Sequence, residues 1–531
     1  MLREINSNSQ SLISGRLLAV LSAALLILSF PNFNLSPLAW IAFIPLLFAI
    51  ENRSAKEAFF LAYITGSVFF LGTIYWLMHV TLPGMIVVAL YLALYFGVFG
   101  YMLGRMPQNA DQMALFFIPA LWVALEWLRS HAMGGFGWAL LAHSQSKALA
   151  VIQIADITGA YGTSFLVMLV NTALYMTIKD IRDRKNHAMP FLVVTVIVLY
   201  ASVVYGTVRL KNIFTGENLK VAVVQGNIPQ NEKWDPDFKV KILDKYENLT
   251  KEADKDGPDL IIWPETSVPG FLDYERDIND RIKNLAVSTE THILVGAPSA
   301  EGNWDRLYNS AVLFSGEGRV VDHYDKVHLV PFGEYVPFKK IFSFVERFAK
   351  SPIGDFSPGR KFTVFKFFIE RKSERGGAAW KLLKKAKFSC LICFEDIFPD
   401  LTRQFVKNGA GFLVNITNDA WFGDSGAPYQ HAQCSVFRAV ENRVNVIRAA
   451  NTGLSCFIDQ KGRVVAMAGS GGKHIFVDGV STHDITLTPT RTFYTVYGDV
   501  FVFLAMLYTA LCVFFRKGKG AKESAVNPSR Y

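Results

Sequence analysis

Eight apolar runs divide this chain, seven of them before residue 210 and one near the C-terminus. Most have about 17–22 residues, which is the length of a helix that crosses the apolar layer of a bilayer. Few charges interrupt them, so we predict an α-helical transmembrane bundle of eight helices. The predicted helices cover about 17–30, 37–50, 57–78, 83–104, 113–129, 161–178, 190–209 and 498–515.

The composition supports a membrane protein and gives no sign of a nucleic-acid partner. Hydrophobic residues make up 51% of the 531 residues, which is too many for an ordinary soluble protein. The formal net charge is +9, but the basic residues lie between and beyond the apolar runs, and no nucleic-acid-binding motif accompanies them. We therefore expect a membrane as a partner and no nucleic acid.

Lys and Arg residues are unevenly distributed between the loops, and this pattern predicts the orientation of the helices. The connections near 31–36 and 79–84 contain neither residue, so we place them outside the cell membrane. The connections assigned to the cytoplasm, and the C-terminal tail, carry Arg53, Lys56, Arg105, Lys179, Arg182, Arg184, Lys185, Arg516, Lys517, Lys519 and Lys522. Eight helices then leave both termini in the cytoplasm and the segment between helices seven and eight outside.

From about residue 219 the pattern changes to short apolar runs that alternate with helical stretches. This alternation predicts one α/β layered domain of about 270 residues. The basic stretch at about 366–387 predicts a surface hairpin or a solvated insertion. We predict strands at 221–226, 259–265, 292–297, 309–314, 388–393, 412–417, 455–458 and 462–465, and helices at 236–254, 275–290 and 428–447.

The run Phe388-Ser389-Cys390-Leu391-Ile392-Cys393 ends directly in Phe394-Glu395-Asp396. This pattern is typical of a buried strand that ends at a sharp turn and presents Cys393. A thiol in such a position can act as a nucleophile when a neighbouring group takes its proton. Glu265 and Lys326 also follow strand-like runs. The sequence therefore predicts a catalytic set of Glu265, Lys326 and Cys393.

The five cysteines do not predict a disulfide framework. Cys390, Cys393, His431 and Cys434 have a spacing that resembles a zinc site. Residues three apart on a strand point to opposite faces, however, so Cys390 and Cys393 could not share a metal without a turn between them. We predict no metal and no cofactor, and we expect Cys390 to be an inert core thiol.

The segment from about 219 to 485 resembles the nitrilase superfamily of carbon–nitrogen hydrolases. The resemblance rests on three motifs in the expected order, which are Trp263-Pro264-Glu265, Asp325-Lys326-Val327-His328-Leu329-Val330-Pro331-Phe332-Gly333-Glu334 and Cys393-Phe394-Glu395-Asp396. It implies an αββα sandwich with a Glu-Lys-Cys triad. Glu265 would be the general base, Lys326 would stabilise the oxyanion and Cys393 would be the nucleophile. Glu334 and Glu395 would be supporting carboxylates, and the backbone N–H of Phe394 would be a second oxyanion donor.

The whole chain is similar to the apolipoprotein N-acyltransferase family of the bacterial inner membrane. Two stretches carry this closer resemblance, namely Val330-Pro331-Phe332-Gly333-Glu334-Tyr335-Val336-Pro337 and Thr492-Phe493-Tyr494-Thr495-Val496-Tyr497-Gly498-Asp499. The resemblance implies transfer of an acyl chain from a phospholipid to the α-amine of a diacylglyceryl-cysteine apolipoprotein through a Cys thioester. The partners would be that phospholipid, that apolipoprotein and the membrane, with the catalytic domain on the periplasmic side.

Four aromatic residues are candidates for substrate binding. Trp234 would line the substrate entrance, although packing on the core is an alternative. Trp421 belongs to a glycine-bounded loop beside the site. Phe342 and Phe344 belong to an apolar stripe that would dip into the outer leaflet as an arm, or else cap the sandwich as a loop.

The predicted domains are a seven-helix membrane domain at 1–212, a catalytic domain at 213–490, an eighth helix at 491–516 and a basic tail at 517–531. A membrane-bound amidase or nitrilase-type hydrolase is the alternative function. A transporter with an appended binding domain fits less well, because the helices lack the strings of buried charge that mark a transport path. Glu126 and Arg129, one helical turn apart, form either a structural pair or a contact for a lipid headgroup.

Overall fold

A computed structural model of the chain describes residues 2–106, 111–185, 187–302, 304–336, 355–375, 378–488 and 491–526. The predicted arm with Phe342 and Phe344 lies outside these residues. The chain divides into two compact units. Residues 1–75, 83–208 and 497–531 form the helical unit, and residues 76–82 and 209–496 form the catalytic unit.

The helical unit is built from long apolar helices and short connecting ones. Its helices before the catalytic unit are α1 (Leu2–Leu28), α2 (Ile44–Ile50), α3 (Ala55–Thr73), α4 (Leu82–Gly104), α5 (Asp111–His131), α6 (Leu149–Ile152), α7 (Ala155–Thr158), α8 (Ala160–Arg182) and α9 (Met189–Lys211). Local chemistry sets the boundaries. Ser54, for example, caps α3, because its hydroxyl accepts from the Glu57 N–H while the Glu57 carboxylate accepts from the Ser54 N–H.

Five helices in the described part of the chain are long and apolar enough to span a membrane. They are α3, α4, α5, α8 and α9, and they correspond to five of the eight predicted helices. The predicted run at 37–50 is not one continuous α-helix. It forms a 3₁₀ turn at Ser36–Trp40 and then α2. Pro45, in the first turn of α2, lacks the N–H that a helix continuing from residue 37 would need.

Glu126 and Arg129 lie buried on α5, where both hold the chain that follows the helix. The Arg129 guanidinium donates to the carbonyl oxygens of Phe136 at 3.0 Å and Trp138 at 2.7 Å. Glu126 Oε1 accepts from the N–H of Leu141 at 2.7 Å. These contacts favour the structural interpretation of the pair.

The catalytic unit contains two six-stranded sheets. The first has the order β12-β1-β2-β3-β4-β5 and the second has the order β11-β10-β9-β8-β7-β6. The strands are β1 (Glu217–Gln225), β2 (Leu260–Ile262), β3 (His292–Glu301), β4 (Arg306–Phe314), β5 (Val320–Asp325), β6 (Phe365–Arg375), β7 (Ala378–Ile392), β8 (Phe412–Thr417), β9 (Asn445–Ala450), β10 (Cys456–Ile458), β11 (Val464–Met467) and β12 (Gly479–Leu487).

Helices cover the outer faces of both sheets. The helices from here to the C-terminus are α10 (Lys239–Asp254), α11 (Arg276–Thr289), α12 (Pro399–Lys407), α13 (Ala427–Asn442), α14 (Phe493–Tyr497) and, in the helical unit, α15 (Val500–Val526). Side chains of α10 and α11 share a core with β1 to β4, while α12 and α13 contact β7 and β9. Because β1 and β4 contact β9 and β7, the layers follow the predicted αββα order.

Two local predictions need correction or refinement. The predicted helix at 428–447 is too long, because Arg443 adopts φ +52° and ends α13 at Asn442. The residues from Asn445 onward join β9 instead. The basic stretch at 366–387 lies in a hairpin, with β6 paired antiparallel to β7 from Phe365 opposite Phe388.

The topology brings strand ends together. In the first sheet β2 and β3 are parallel, and two antiparallel pairings along β3, β4 and β5 give β5 the same direction. In the second sheet β7, β8 and β9 are parallel. Glu265 lies just beyond β2, Lys326 beyond β5 and Cys393 beyond β7, so each predicted catalytic residue follows the carboxyl end of a strand.

Candidate active site

Cys393 begins a tight turn directly after β7. Its φ is +53°, a left-handed conformation that costs a non-glycine residue about 1–3 kcal/mol unless its surroundings hold it. A 3₁₀ turn at Cys393–Ile397 follows. The turn leaves Cys393 partly accessible, whereas Cys390 is buried within the strand.

Glu265 and Lys326 meet in a group of polar side chains that we call the catalytic cluster, formed by Glu265, Lys326, Glu334 and Asn309. Lys326 Nζ lies 2.9 Å from Glu334 Oε2 and 3.8 Å from Glu265 Oε1. Asn309 Nδ2 donates to Glu265 Oε1 at 2.8 Å and to Glu334 Oε1 at 2.9 Å. One lysine and one amide therefore hold both carboxylates in fixed positions.

Close backbone packing places Glu265. A Cβ on Gly296 of β3 would lie 2.3 Å from the Pro264 carbonyl oxygen and 2.7 Å from Glu265 Cα, so only glycine allows this approach. Glu265 Oε2 also accepts from the backbone N–H of Asn418, just beyond β8, at 2.9 Å. The carboxylate thus bridges the ends of strands from both sheets.

The charges of the catalytic cluster act on the Cys393 thiol. Burial raises the pKa of Cys393 well above its usual range, Glu265 raises it further, and Lys326 opposes them. Burial lowers the pKa of Lys326, but the carboxylates of Glu334 and Glu265 outweigh it and leave this pKa above the ordinary value. The resting site therefore contains a protonated thiol and a protonated lysine, and attack by sulfur requires a base.

Glu395 joins the Cys393 turn to the segment that carries Lys326. Its Oε1 accepts from the Tyr324 hydroxyl at 2.8 Å and from the N–H groups of Val327 at 2.8 Å and His328 at 3.0 Å. Its Oε2 accepts from the Ile392 N–H at 2.7 Å. Burial raises the pKa of Glu395 to about 7, and these backbone donors oppose the rise.

A second charged group, which we call the supporting cluster, contains Asp396, Asp419, His431 and Arg448. All four side chains are fully buried. His431 Nε2 lies 2.8 Å from Asp396 Oδ1, and its Nδ1 lies 3.1 Å from Asp419 Oδ1. Arg448 Nη1 donates to Asp396 Oδ2 at 2.8 Å. Both ring nitrogens of His431 thus face carboxylates, which is not the zinc arrangement that its spacing from Cys434 suggested.

Of the predicted aromatic residues, Trp234 and Trp421 belong to the described part of the chain. Trp234 is 50% exposed, which contradicts the alternative that it packs on the core. Trp421, in the turn Asp419–Phe422, is partly exposed. Phe394 packs its ring 5.2 Å from that of Phe398. In the same unit, the buried Trp76 places its ring 4.5 Å from that of Phe422.

Several polar residues of the site were missed by the sequence analysis. Lys233 is buried and donates from Nζ to the Glu265 carbonyl oxygen at 3.0 Å, and burial lowers its pKa to about 8. Asn309 and Arg448 could have been found, because each is a polar residue in a strand whose burial pattern is largely that of core. Asn418 reaches Glu265 through its backbone N–H, for which the sequence holds no signal.

Comparisons with known proteins match both units of the chain. Residues 22–173 match the model of the apolipoprotein N-acyltransferase N-terminal domain, and residues 220–493 match that of carbon-nitrogen hydrolase. An apolipoprotein N-acyltransferase from Geobacter metallireducens is 42% identical over 93% of this chain and 94% of its own length. Another from Chlorobaculum tepidum is 32% identical, over 91% and 93%.

Solved structures match the catalytic unit at lower similarity. An amidase from Nesterenkonia sp. is 18% identical, with a TM-score of 0.35, and the match covers 52% of this chain and 93% of the amidase.

Proposed function

This chain belongs to the apolipoprotein N-acyltransferase family, and from that premise we propose that Glu265, Lys326 and Cys393 transfer an acyl chain from a phospholipid to the α-amine of a diacylglyceryl-cysteine apolipoprotein. The observation that supports these roles most directly is the catalytic cluster. A carboxylate and a lysine 3.8 Å apart both act on a thiol held in a strained turn.

The first half-reaction forms a thioester. The sulfur of Cys393 attacks the ester carbonyl carbon of the phospholipid while the thiol proton passes to Glu265. The carbonyl oxygen becomes an oxyanion, which Lys326 Nζ and the Phe394 N–H stabilise. When the carbonyl reforms, the carbon–oxygen bond to glycerol breaks, and the departing oxygen takes the proton from Glu265. Lysophospholipid leaves and Cys393 holds the acyl chain.

The second half-reaction forms the amide. The neutral α-amine of the apolipoprotein attacks the thioester carbonyl, and the same donors stabilise the second oxyanion. Glu265 takes one proton from the attacking nitrogen. Collapse expels the sulfur of Cys393, which regains that proton, so the acylated lipoprotein leaves and the enzyme returns to its starting state.

The finer membrane arrangement belongs to this proposal. The run at 37–50 crosses the membrane as the 3₁₀ turn and α2 together. With the runs at 17–30 and 498–515 it completes eight spans, both termini lie in the cytoplasm, and the catalytic domain at 213–490 lies in the periplasm. The uneven distribution of basic residues supports this orientation. Trp234 and Trp421 contact the lipid substrates, together with Phe342 and Phe344 of the predicted arm.

The two half-reactions distinguish the transferase from an amidase or nitrilase-type hydrolase, in which water would discharge the acyl-enzyme. The relatives that match the whole chain are named as N-acyltransferases, which favours an amine acceptor.

The test is an intact mass of the purified full-length protein after incubation with phospholipid alone. We expect an acyl-sized addition that is absent in Cys393→Ala. A diacylglyceryl-cysteine peptide with a free α-amine should discharge the adduct, while the same peptide with an acetylated amine should not. Discharge by water at the same rate in both cases would contradict the transferase.

A further inference from the structure

The carbonyl oxygen of Cys393 is held by two side chains from neighbouring elements. Asn415 Nδ2, from β8, donates to it at 3.0 Å. His431 Nε2, from α13, lies 3.2 Å from it. Both side chains are fully buried, so a rigid part of the domain fixes this one peptide group.

His431 is itself held in a charged state. Asp396, from the turn after β7, and Asp419, from the turn after β8, face its two nitrogens, while Arg448 on β9 supplies the other cation. Burial lowers the pKa of His431, but the two carboxylates outweigh burial and Arg448, and they raise this pKa to about 9. Both nitrogens then carry protons, and Nε2 is a donor shared between Asp396 and the Cys393 carbonyl.

The direction of a carbonyl group in the backbone fixes the direction of the N–H that follows it. In a trans peptide the carbonyl C=O and the following N–H point in opposite directions. When the Cys393 carbonyl points toward Asn415 and His431, the Phe394 N–H points away from them. Cys393 also needs such anchoring, because its left-handed φ is sustained only by its surroundings.

We propose that His431 is a positioning residue that acts through the Cys393 carbonyl and thereby directs the Phe394 N–H toward the oxyanion of each half-reaction. The inference rests on the proposed function, because it presupposes acyl transfer at Cys393. Lys326 stabilises the oxyanion directly, whereas His431 acts from the buried side of the turn and touches no substrate.

Two reactions of the same thiol separate this role from a general effect on Cys393. Acylation by phospholipid builds an oxyanion, whereas alkylation by iodoacetamide displaces iodide and builds none. A residue that directs an oxyanion donor should affect acylation alone. A residue that merely supports the fold or the thiol should affect both reactions together.

The variants are His431→Leu, His431→Gln and the matched control Ser435→Ala. The Ser435 hydroxyl contacts Asp396 and Arg448 of the same cluster, so its loss perturbs the cluster while leaving the two donors to the Cys393 carbonyl in place. Glutamine keeps an N–H donor near the position of Nε2 and is the conservative replacement.

We expect His431→Leu to lower kcat for acylation by about 10²-fold, the effect of losing one oxyanion donor, with the KM for phospholipid unchanged. Alkylation should stay within about threefold, and His431→Gln should recover part of the lost acylation. Ser435→Ala should keep the wild-type ratio of the two rates. If His431→Leu does not fold, the smaller selective loss in His431→Gln carries the test.

An equal loss in both reactions, or normal acylation in a folded His431→Leu variant, would overturn the inference. Wild-type protein is measured in the same series. Failure of the wild type to form a thioester would overturn the proposed function and this inference with it, whereas an active wild type with unselective variants would overturn this inference alone.

Discussion

The catalytic cluster and the supporting cluster both bury charged side chains beside Cys393, but their charge balance differs. The supporting cluster pairs two carboxylates with two cations, since His431 is protonated. In the catalytic cluster two carboxylates, Glu265 and Glu334, pair with Lys326. The nearby Lys233 donates to the Glu265 backbone carbonyl rather than to a carboxylate, and burial lowers its pKa to about 8. A balanced group gains nothing from taking up a proton, whereas a group with an excess carboxylate can accept one. Under the proposed mechanism, the balance of buried charge therefore separates the group that would move protons from the group that would fix geometry.

The largest expected effect comes from removing the proposed proton acceptor of the catalytic cluster. Glu265→Gln keeps the size of the side chain and a carbonyl acceptor for Asn309, but it removes the base. We expect thioester formation to fall by about 10³-fold, within the range for loss of a general base. The rate of thioester formation is measured from the intact mass of the protein in single-turnover experiments. The control is Asp244→Asn on the exposed face of α10, and equal rates for Glu265→Gln and this control would refute the role of Glu265.

Replacement of Lys326 should have the next largest effect. Lys326→Met leaves the carboxylates of Glu265 and Glu334 without their ion pair and removes an oxyanion donor, so we expect acylation to fall by about 10²–10³-fold. We also expect the free energy of unfolding to fall by about 3 kcal/mol, as when one partner of a buried pair is lost. Acylation kinetics and thermal melting check the two effects, and a variant with wild-type acylation would contradict the proposed oxyanion role.

The supporting cluster should make the stability of the protein depend on pH. The folded-state pKa of His431, about 9, lies above its ordinary value of about 6.5. Its protonation therefore stabilises the fold fully below pH 6.5, and this contribution is lost as the pH rises through 9. The free energy of unfolding that wild type gains over His431→Gln should shrink across this window from at most about 3 kcal/mol, and the difference in Tm should shrink with it. A constant difference in Tm would show that His431 does not titrate there.

A smaller effect concerns the link between the two clusters. Glu395 accepts four hydrogen bonds, and an amide nitrogen at this position cannot accept any. Glu395→Gln should leave one or two buried donors unpaired and lower the free energy of unfolding by about 1–3 kcal/mol. Chemical or thermal unfolding measures it. Glu247→Gln, which alters a surface contact to Arg281, is the control and should change stability by less than about 1 kcal/mol.

The sequence predicted those features of the site that depend on residues close together in the chain. Glu265, Lys326 and Cys393 each come just after a strand, and three motifs in the expected order led to the prediction that they form one catalytic set. His431 and Arg448 lie far from Cys393 in sequence. The pairing of β7 with β8 and of β8 with β9, and the packing of α13 on β9, bring them close to it.

The boundaries that sequence analysis misplaced have similarly specific causes. The backbone at Arg443 turns left-handed at a residue type that gives no warning of it, so the predicted helix ran into β9. In the apolar runs, hydropathy is an average over many residues, so a single residue such as Pro45 changes it little. The average therefore did not show the break between the 3₁₀ turn and α2.

The segment at 76–82 makes the catalytic unit discontinuous in sequence. Trp76 is buried in that unit, donates from Nε1 to Gln430 at 3.1 Å and packs against Phe422, although more than a hundred residues separate it from β1. A gene fragment that encodes only the hydrolase-like stretch would omit this tryptophan and its hydrogen bond to Gln430. Exchange of such a fragment between relatives would separate the two sides of this contact, because Trp76 and its partners Gln430 and Phe422 are encoded far apart.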